Sequence, residues 1–405
     1  MTSNPTTDPS AATEPVIVGG ARTPFTRLLG GQASLSAVAL GAAAIRGALE
    51  RSGVAVGDVD AVHMGQVVQA GCGQNPARQS AIAAGIGWEV PATTINKVCL
   101  SGLTAIIDAA RLIRLGEAAV VVAGGQESMS NAPHLLPGSR TGHKYGGVEL
   151  VDSVARDGLT DAMTGESMGL LTEQGNAQRG LRRVEQDEAA AASHRRAAQA
   201  QADGIFEEEI VATEIPQRKG EPVRVGADEG VRPEATAESL GRLRTAFSQD
   251  DDASITAGNS SPLTDGAAAV IVTSRAYAEE HGLTVLAAIA GSGQVAGPDA
   301  SLHSQPSAAI QAATAKAGWE VAELDFVEIN EAFGAVVCQS LTDLDYPLEK
   351  TNIHGGAIAL GHPIGASGAR LALTAALELN RRGTGRAAVS LCGGGGQGDA
   401  LLLSR

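Results

Sequence analysis

The sequence predicts an α/β protein made of two similar halves, with a long insertion in the first. Three observations predict it: short apolar runs alternate with segments of helical period, two pairs of strings recur in the same order, and the composition changes abruptly between them. With 405 residues, 43% hydrophobic and 19% charged, the chain can bury two cores or one large duplicated one.

Apolar runs at residues 16–19, 61–68 and 118–124 read as buried strands, separated by helical patterns at 35–49 and 103–115. The theme returns with strand candidates at 285–290, 325–329 and 387–391 and helices at 307–317 and 366–379. This alternation predicts a mainly parallel sheet covered by helices. AAVVVAGGQES (118–128) is echoed by AAVSLCGGGGQG (387–398), and CLSGLTAII (99–107) by GASGARLAL (365–373), which gives both halves one βαβ design.

Residues 129–263 differ in character: PHLLPGSRTGHKYGG is turn-rich, 184–202 is a polar helix, and 217–232 is charged and punctuated by Gly and Pro. Insertions of this length build binding walls or subunit contacts, or are surface excursions. The expected organisation is a flexible tail at 1–14, a first half at 15–128 completed by about 264–284, an inserted loop domain at 129–263, and a second half at 285–405. The acidic runs 207–209 and 250–252 read as solvated surface.

Aromatics make up 2% of the chain while Gly numbers 51, a composition for close backbone packing rather than for an aromatic platform. The formal charge of −15 lacks the basic field that a phosphate backbone needs, so nucleic acid is excluded as a partner, and an anionic small substrate requires a local basic patch. Cys72, Cys99, Cys338 and Cys392 are widely spaced, with neither a CxxC pair nor metal-ligand spacing, which argues for reduced thiols rather than a zinc site or disulfides. The N-terminal residues carry no secretory or transit pattern and no window is apolar enough to span a membrane, so the expected location is cytoplasmic.

Cys99 sits in INKVCLSGLTAII, where a β-like approach turns through Ser-Gly into a helix. A thiol at a helix N-terminus is expected to have a lowered pKa, although a buried structural cysteine is the bland reading. His362 lies in NIHGGAIALGHPIGASGARLAL, whose Gly-rich loop can hold an imidazole as a base or merely as a hydrogen-bonding loop residue. Its place opposite Cys99 in the repeat points to a Cys–His pair. Cys392 ends a strand and enters GGGGQG, a run whose N–H groups suit a phosphate nest or an oxyanion hole; no helix or acidic ribose ligand follows, so a dinucleotide fingerprint does not fit. Asn330 follows an apolar run, at the carboxyl end of a predicted strand where open α/β sheets build sites. Cys72, Cys338, His143 and His303 read as packing or loop residues, and His354 as a brace for the His362 loop.

Taken together, GARTPF (20–25), INKVCLSG (95–102), GGQESMS (124–130), TAGNSSPLTDGAAAV (256–270), NEAF (330–333), GGAIALGHPIGASG (355–368) and CGGGGQGDA (392–400) closely resemble the thiolase family, from about Pro15 to the C-terminus. More narrowly, the chain is similar to acetyl-CoA acetyltransferases and short 3-ketoacyl-CoA thiolases. The resemblance implies a thiolase fold, two βαβαβαββ halves forming a layered αβαβα sandwich with an inserted loop domain, assembled as a homotetramer of tight dimers. It implies reversible conversion of two acetyl-CoA to acetoacetyl-CoA and CoA, with these thioesters as substrates and neither metal nor cofactor required. By the same resemblance Cys99 is the acylated nucleophile, His362 activates it, and Cys392 moves the proton at the substrate α-carbon. Asn330 holds a water that forms one oxyanion hole with His362, while the amides of Cys99 and Gly394 form the other. Ser261, Met168 and Phe333 line the pantetheine tunnel and Arg232 meets the nucleotide end of CoA. Ser167 stands where many short-chain members have His; a small residue facing the acyl pocket there would widen it. Gly334 and Ser260 also depart from the commonest pattern.

A ketoacyl synthase-type condensing enzyme shares such a duplicated fold but pairs its cysteine with two histidines, whereas this chain has a second thiol and NEAF. A Cys–His hydrolase would leave Cys392 without a role, and an inactive CoA-binding protein would not need the full set of reactive residues.

Overall fold

A computed structural model describes residues 12–405. Of the tail expected at 1–14, residues 1–11 lie outside the described residues, while Glu14 is anchored: its carbonyl accepts the Arg275 N–H at 2.8 Å and its carboxylate pairs with the Arg275 guanidinium.

The first half runs β1 (Pro15–Arg22), α1 (Ala37–Ser52), β2 (Ala61–Gly65), α2 (Pro76–Ala83), β3 (Ala92–Ile95), α3 (Ser101–Leu115) and β4 (Val120–Glu127). The chain then leaves the sheet for a region containing α4 (Met168–Arg179) and α5 (Arg183–Ala202), and returns as β5 (Thr264–Ser274). The second half runs β6 (Ala287–Ala296), α6 (Gln305–Ala317), β7 (Phe326–Ile329), α7 (Gly334–Leu344), α8 (Ser367–Arg382), β8 (Arg386–Gly393) and β9 (Gln397–Ser404). The helices form where periodic apolar positions are bounded by explicit caps. In α1 the Ser36 hydroxyl accepts the Ala39 N–H at 3.2 Å, and Gly53 closes the C-terminus at φ +72°; Leu40, Ala44, Ile45 and Ala48 face the core.

The main sheet has the order β3-β2-β4-β5-β1-β6-β9-β8-β7. Counting inward from either edge shows the duplication. β3-β2-β4-β5-β1 matches β7-β8-β9-β6 once the third strand of the second half is reduced to one parallel bridge between Val327 and Thr351. The copies meet through the short antiparallel pairing of Val16 with Ala288 and Ile17 with Ala287. Contrary to the mainly parallel sheet expected from the alternation, only β2–β3, β2–β4 and β7–β8 are parallel. Each half ends in a strand that folds back antiparallel on its predecessor. In the second half the Gly394–Gly396 segment between β8 and β9 is too short for the crossover a parallel pair requires.

Helices α3 and α8 pack between the inner faces of the two halves, in one continuous apolar cluster that includes Leu103, Ile106, Val121, Val270, Leu373 and Val389. α1 and α2 cover the outer face of one half, and α6 and α7 that of the other. This is the layered α-β-α-β-α arrangement. Tight small-residue packing brings the halves together beneath the site: a Cβ on Gly125 would lie 1.9 Å from the Gly365 carbonyl oxygen, so only glycine permits that approach.

The acidic run 207–209 is not simply solvated surface. Glu207 and Glu208 are exposed, but Glu209 is buried, where it accepts Arg22 Nε at 2.7 Å and Thr374 Oγ1 at 2.8 Å. Arg22, fully buried and stacked near Phe25 and Phe206, also donates to Asp228 in a bidentate pair of 2.6 and 2.8 Å and to the Thr23 carbonyl at 3.3 Å. This charge cluster ties β1 to the inserted region. Asp250, Asp251 and Asp252 are exposed.

Candidate active site

The turn from β3 to α3 places Cys99 two residues before Ser101, the first residue of the helix. Val98 adopts φ +50°, a left-handed conformation costly for a β-branched residue, and local hydrogen bonds hold it there. Asn96 Oδ1 accepts the Val98 N–H at 3.1 Å; Ser101 Oγ accepts the Lys97 N–H at 2.8 Å and donates to the Val98 carbonyl at 2.6 Å. The result is a bent elbow that presents a half-buried thiol. Its pKa is not lowered, as the helix terminus alone predicts, but pushed up to about 11 by burial; hydrogen bonds from the backbone N–H groups of Gly394 and Cys99 itself pull in the opposite direction. Desolvation outweighs the helix end.

His362 follows Gly361, whose φ of +119° and whose Cβ position, 2.6 Å from the Thr264 side chain, both exclude a larger residue. The Thr264 hydroxyl accepts the His362 N–H at 3.0 Å, and Ser367 Oγ lies 2.6 Å from Nδ1. Because Ser367 donates its proton to the Pro363 carbonyl at 3.0 Å, the network assigns the ring proton to Nδ1 and leaves the lone pair on Nε2. The Asn330 amide nitrogen is 3.4 Å from Nε2, too long to engage that lone pair strongly, and Asn330 Oδ1 has no hydrogen-bond partner among the described residues. Burial, followed by the nearby Arg370 guanidinium, pushes the His362 pKa down to about 4, so the imidazole is neutral at physiological pH.

Cys392, the penultimate residue of β8, is completely buried beside Ile255, Ala332, Phe333 and Val336. Burial pushes its thiol pKa well up, and the neighbouring Cys99 adds to the effect, so it holds its proton firmly. Gly394 follows in the β8–β9 turn, where a Cβ would stand 3.4 Å from Val98 Cγ1 and 3.9 Å from Met168 Sδ. The elbow, the glycine turn and the start of α4 therefore converge. A cavity of about 660 Å³ opens there, lined in part by Val67, Asn96, Val98, Met163, Met168 and Gly394.

Gly394 and Met168 line this cavity with Val98, the residue before Cys99; Cys392 lies two residues before Gly394, and His362 stands 3.4 Å from the Asn330 amide. Phe333 packs with Cys392 and meets Phe247 edge to face at a centroid distance of 6.1 Å, and Ser261 N–H donates to the Ala332 carbonyl at 3.1 Å. Arg232 is exposed, and its backbone N–H donates to His194 Nδ1. Ser167 is exposed and caps α4 by accepting the Leu170 N–H at 3.2 Å. His354 braces α8 through Glu378 at 3.0 Å rather than the His362 loop, and His303 is a buried partner of Asn176 at 2.8 Å. Sequence reading missed Thr264, Ser367, Phe247 and Glu127. Ser367 had a signal, since it stands one turn beyond the histidine where a new helix starts; Phe247 had none.

A duplicated α/β frame in which a cysteine elbow and a glycine turn border one cavity, with a second buried thiol and a neutral imidazole in the same fold, defines a thiol-dependent enzyme. Residues 15–276 match the family described as "Thiolase, N-terminal domain" and residues 283–405 that described as "Thiolase, C-terminal domain". The chain belongs to the thiolase family. It is 57% identical to a "Probable acetyl-CoA acetyltransferase" of Mycolicibacterium smegmatis, over 96% of this chain and 100% of that protein. It is 48% identical to an "Acetyl-CoA acetyltransferase" of Pseudomonas aeruginosa, over 96% and 99%. The crystal structure of the Bacillus anthracis acetyl-CoA acetyltransferase superposes with a TM-score of 0.93 at 37% identity, covering 98% of this chain and 99% of that one. Among the described residues, no helix is long and apolar enough to cross a membrane.

Proposed function

We propose that this chain is an acetyl-CoA C-acetyltransferase, catalysing the reversible Claisen condensation of two acetyl-CoA to acetoacetyl-CoA and CoA by a ping-pong route through acyl-Cys99. The observation that carries the reading is the convergence of the Cys99 elbow and the glycine turn on one cavity, where a Cβ on Gly394 would stand 3.4 Å from Val98, with the buried Cys392 thiol two residues before that turn. The names of the relatives, acetyl-CoA acetyltransferases, support the substrate.

In the first half-reaction His362 Nε2 takes the Cys99 proton as the sulfur attacks the thioester carbonyl. The tetrahedral oxyanion is stabilised by the Gly394 and Cys99 amides, or by a water held between Asn330 and His362. Collapse breaks the C–S bond to CoA, and the leaving thiolate receives the proton from His362. In the second half-reaction Cys392 passes its proton to His362 and, as the thiolate, removes the α-proton of a second acetyl-CoA; the enolate attacks the acyl carbon, and Cys99 leaves as the thiolate and takes the proton held on His362. In reverse, Cys392 protonates the departing enolate, and a thiol whose burial keeps it protonated suits that step. All these steps use groups of the protein. Met168, Ser261 and Phe333 border the pantetheine path and Arg232 meets the nucleotide end of CoA. A cytoplasmic homotetramer of tight dimers completes the proposal.

The test is CoA-dependent loss of the 3-ketoacyl-CoA ultraviolet signal, comparing acetoacetyl-CoA with six- and eight-carbon substrates. Strong preference for acetoacetyl-CoA supports the proposal, comparable rates on longer chains make the enzyme a broad degradative thiolase, and no activity on any contradicts thiolase chemistry.

A further inference from the structure

One buried carboxylate joins the elbow that carries Cys99 to the strand beyond the glycine turn. Asp399, in β9, is fully buried. Its Oδ1 accepts Lys97 Nζ at 2.6 Å, its Oδ2 accepts Thr104 Oγ1 at 2.8 Å, and Gln294 Nε2 lies 3.2 Å from both oxygens. Lys97 precedes Cys99 by two residues and Thr104 stands in the first turn of α3, so the nucleophile is held from both sides by the same group. In the β8–β9 ladder Asp399 pairs with Leu391, the rung next to the Cys392–Gly398 pair, and its carbonyl accepts the Ser390 hydroxyl at 2.9 Å.

We propose that Lys97 and Asp399 form a positioning clamp that fixes the Cys99 elbow against the turn bearing the Gly394 amide. The inference rests on the reading of Cys99 as an acylated nucleophile. Two physical reasons support an ion pair here rather than a neutral contact. A buried carboxylate without a cation would carry a heavy desolvation cost, and an uncompensated negative charge would oppose the thiolate, oxyanion and enolate that form nearby. Lys97, its side chain mostly buried, cancels that charge and is covalently part of the elbow. The strained Val98 conformation between Lys97 and Cys99 is then held at both ends, by Ser101 within the turn and by Asp399 across the fold.

The clamp acts on oxyanion geometry, so it separates two reactions of the same sulfur. Acylation by acetyl-CoA passes through an oxyanion that the Gly394 amide must reach, whereas alkylation by iodoacetamide forms none. In Lys97→Met and Asp399→Asn, acylation of Cys99, followed by peptide mass, is expected to slow on the order of 10- to 100-fold. Alkylation of Cys99 should stay at the wild-type rate, and Lys97→Arg should recover most of the acylation. Equal slowing of both reactions would assign the pair a general structural role and overturn the proposal, as would wild-type acylation in a folded Lys97→Met. If Lys97→Met does not fold, Asp399→Asn, which keeps the Thr104 and Gln294 contacts, decides by the same comparison. A wild-type protein that acetyl-CoA does not acylate would refute the functional reading, and the clamp with it.

Discussion

Glu127 and Gly365 hold the two halves together at the site: the buried Glu127 carboxylate at the end of β4 accepts the Gly365 N–H, three residues beyond His362, at 2.9 Å. The same carboxylate accepts the Val67 and Val68 N–H groups, each at 3.1 Å, and Val67 lines the cavity. One side chain thus sets the cavity wall and the histidine loop in register.

Glu127→Gln replaces one acceptor oxygen with an NH2 group that must face at least one of these N–H donors. The buried mismatch is expected to cost about 1–3 kcal/mol in urea unfolding and to lower kcat by displacing the His362 loop. Wild-type stability together with wild-type kcat would show that the carboxylate does not organise the site.

Cys99 is pushed up to about 11 and His362 down to about 4, so the thiol and the imidazole are each neutral at physiological pH. The rate of Cys99 alkylation by iodoacetamide, resolved by peptide mass, should therefore climb continuously from neutral to alkaline pH. A plateau across neutral pH would reveal a preformed thiolate–imidazolium pair and contradict this. His362 also has a signed effect on stability. An unfolded histidine titrates near ~6.5, so as pH falls from there toward about 4 the unfolded chain binds a proton that the native site refuses, and the native state loses stability over that window. His362→Asn should flatten the urea midpoint between those pH values; an unchanged slope would show that His362 titrates normally in the native protein.

Much of this architecture is legible in the sequence because its elements carry strong local signals. The strand candidate at 387–391 falls inside Arg386–Gly393, and the helix at 103–115 inside Ser101–Leu115, since apolar periodicity and glycine caps act over a few residues. The direction of strand pairing was not legible, because it depends on how each half returns to its sheet, and β4 and β5 are separated by the whole insertion. At the site, the motifs singled out Cys99 and Cys392, whose neighbours Val98 and Gly394 line the cavity, and His362 and Asn330, which the fold sets 3.4 Å apart. The sign of the Cys99 shift was hidden because a helix terminus is a local feature whereas desolvation comes from the fold, which packs Cys99 against the cluster of Val67, Met129, Val154 and Ile364. Likewise Glu209 reads as surface in EEE until the fold sets Arg22 against it, from 187 positions away in the chain.

The Arg22–Asp228–Glu209 cluster gives a stability prediction. Asp228→Ala removes the bidentate partner of a fully buried guanidinium and one acceptor for the Phe25 N–H, and should destabilise the protein by about 3–5 kcal/mol in thermal or urea unfolding. A change within the range of ordinary surface substitutions would mean that Arg22 finds other partners or water.

The most direct test of the central claim separates the two thiols. The Cys392→Ala variant is incubated with acetyl-CoA alone and its peptides are weighed, with condensation to acetoacetyl-CoA followed in parallel. The account predicts a stable acetyl group on the peptide containing Cys99 and severely reduced condensation. Full condensation activity without Cys392, or retained covalent acetylation in Cys99→Ala, would contradict it.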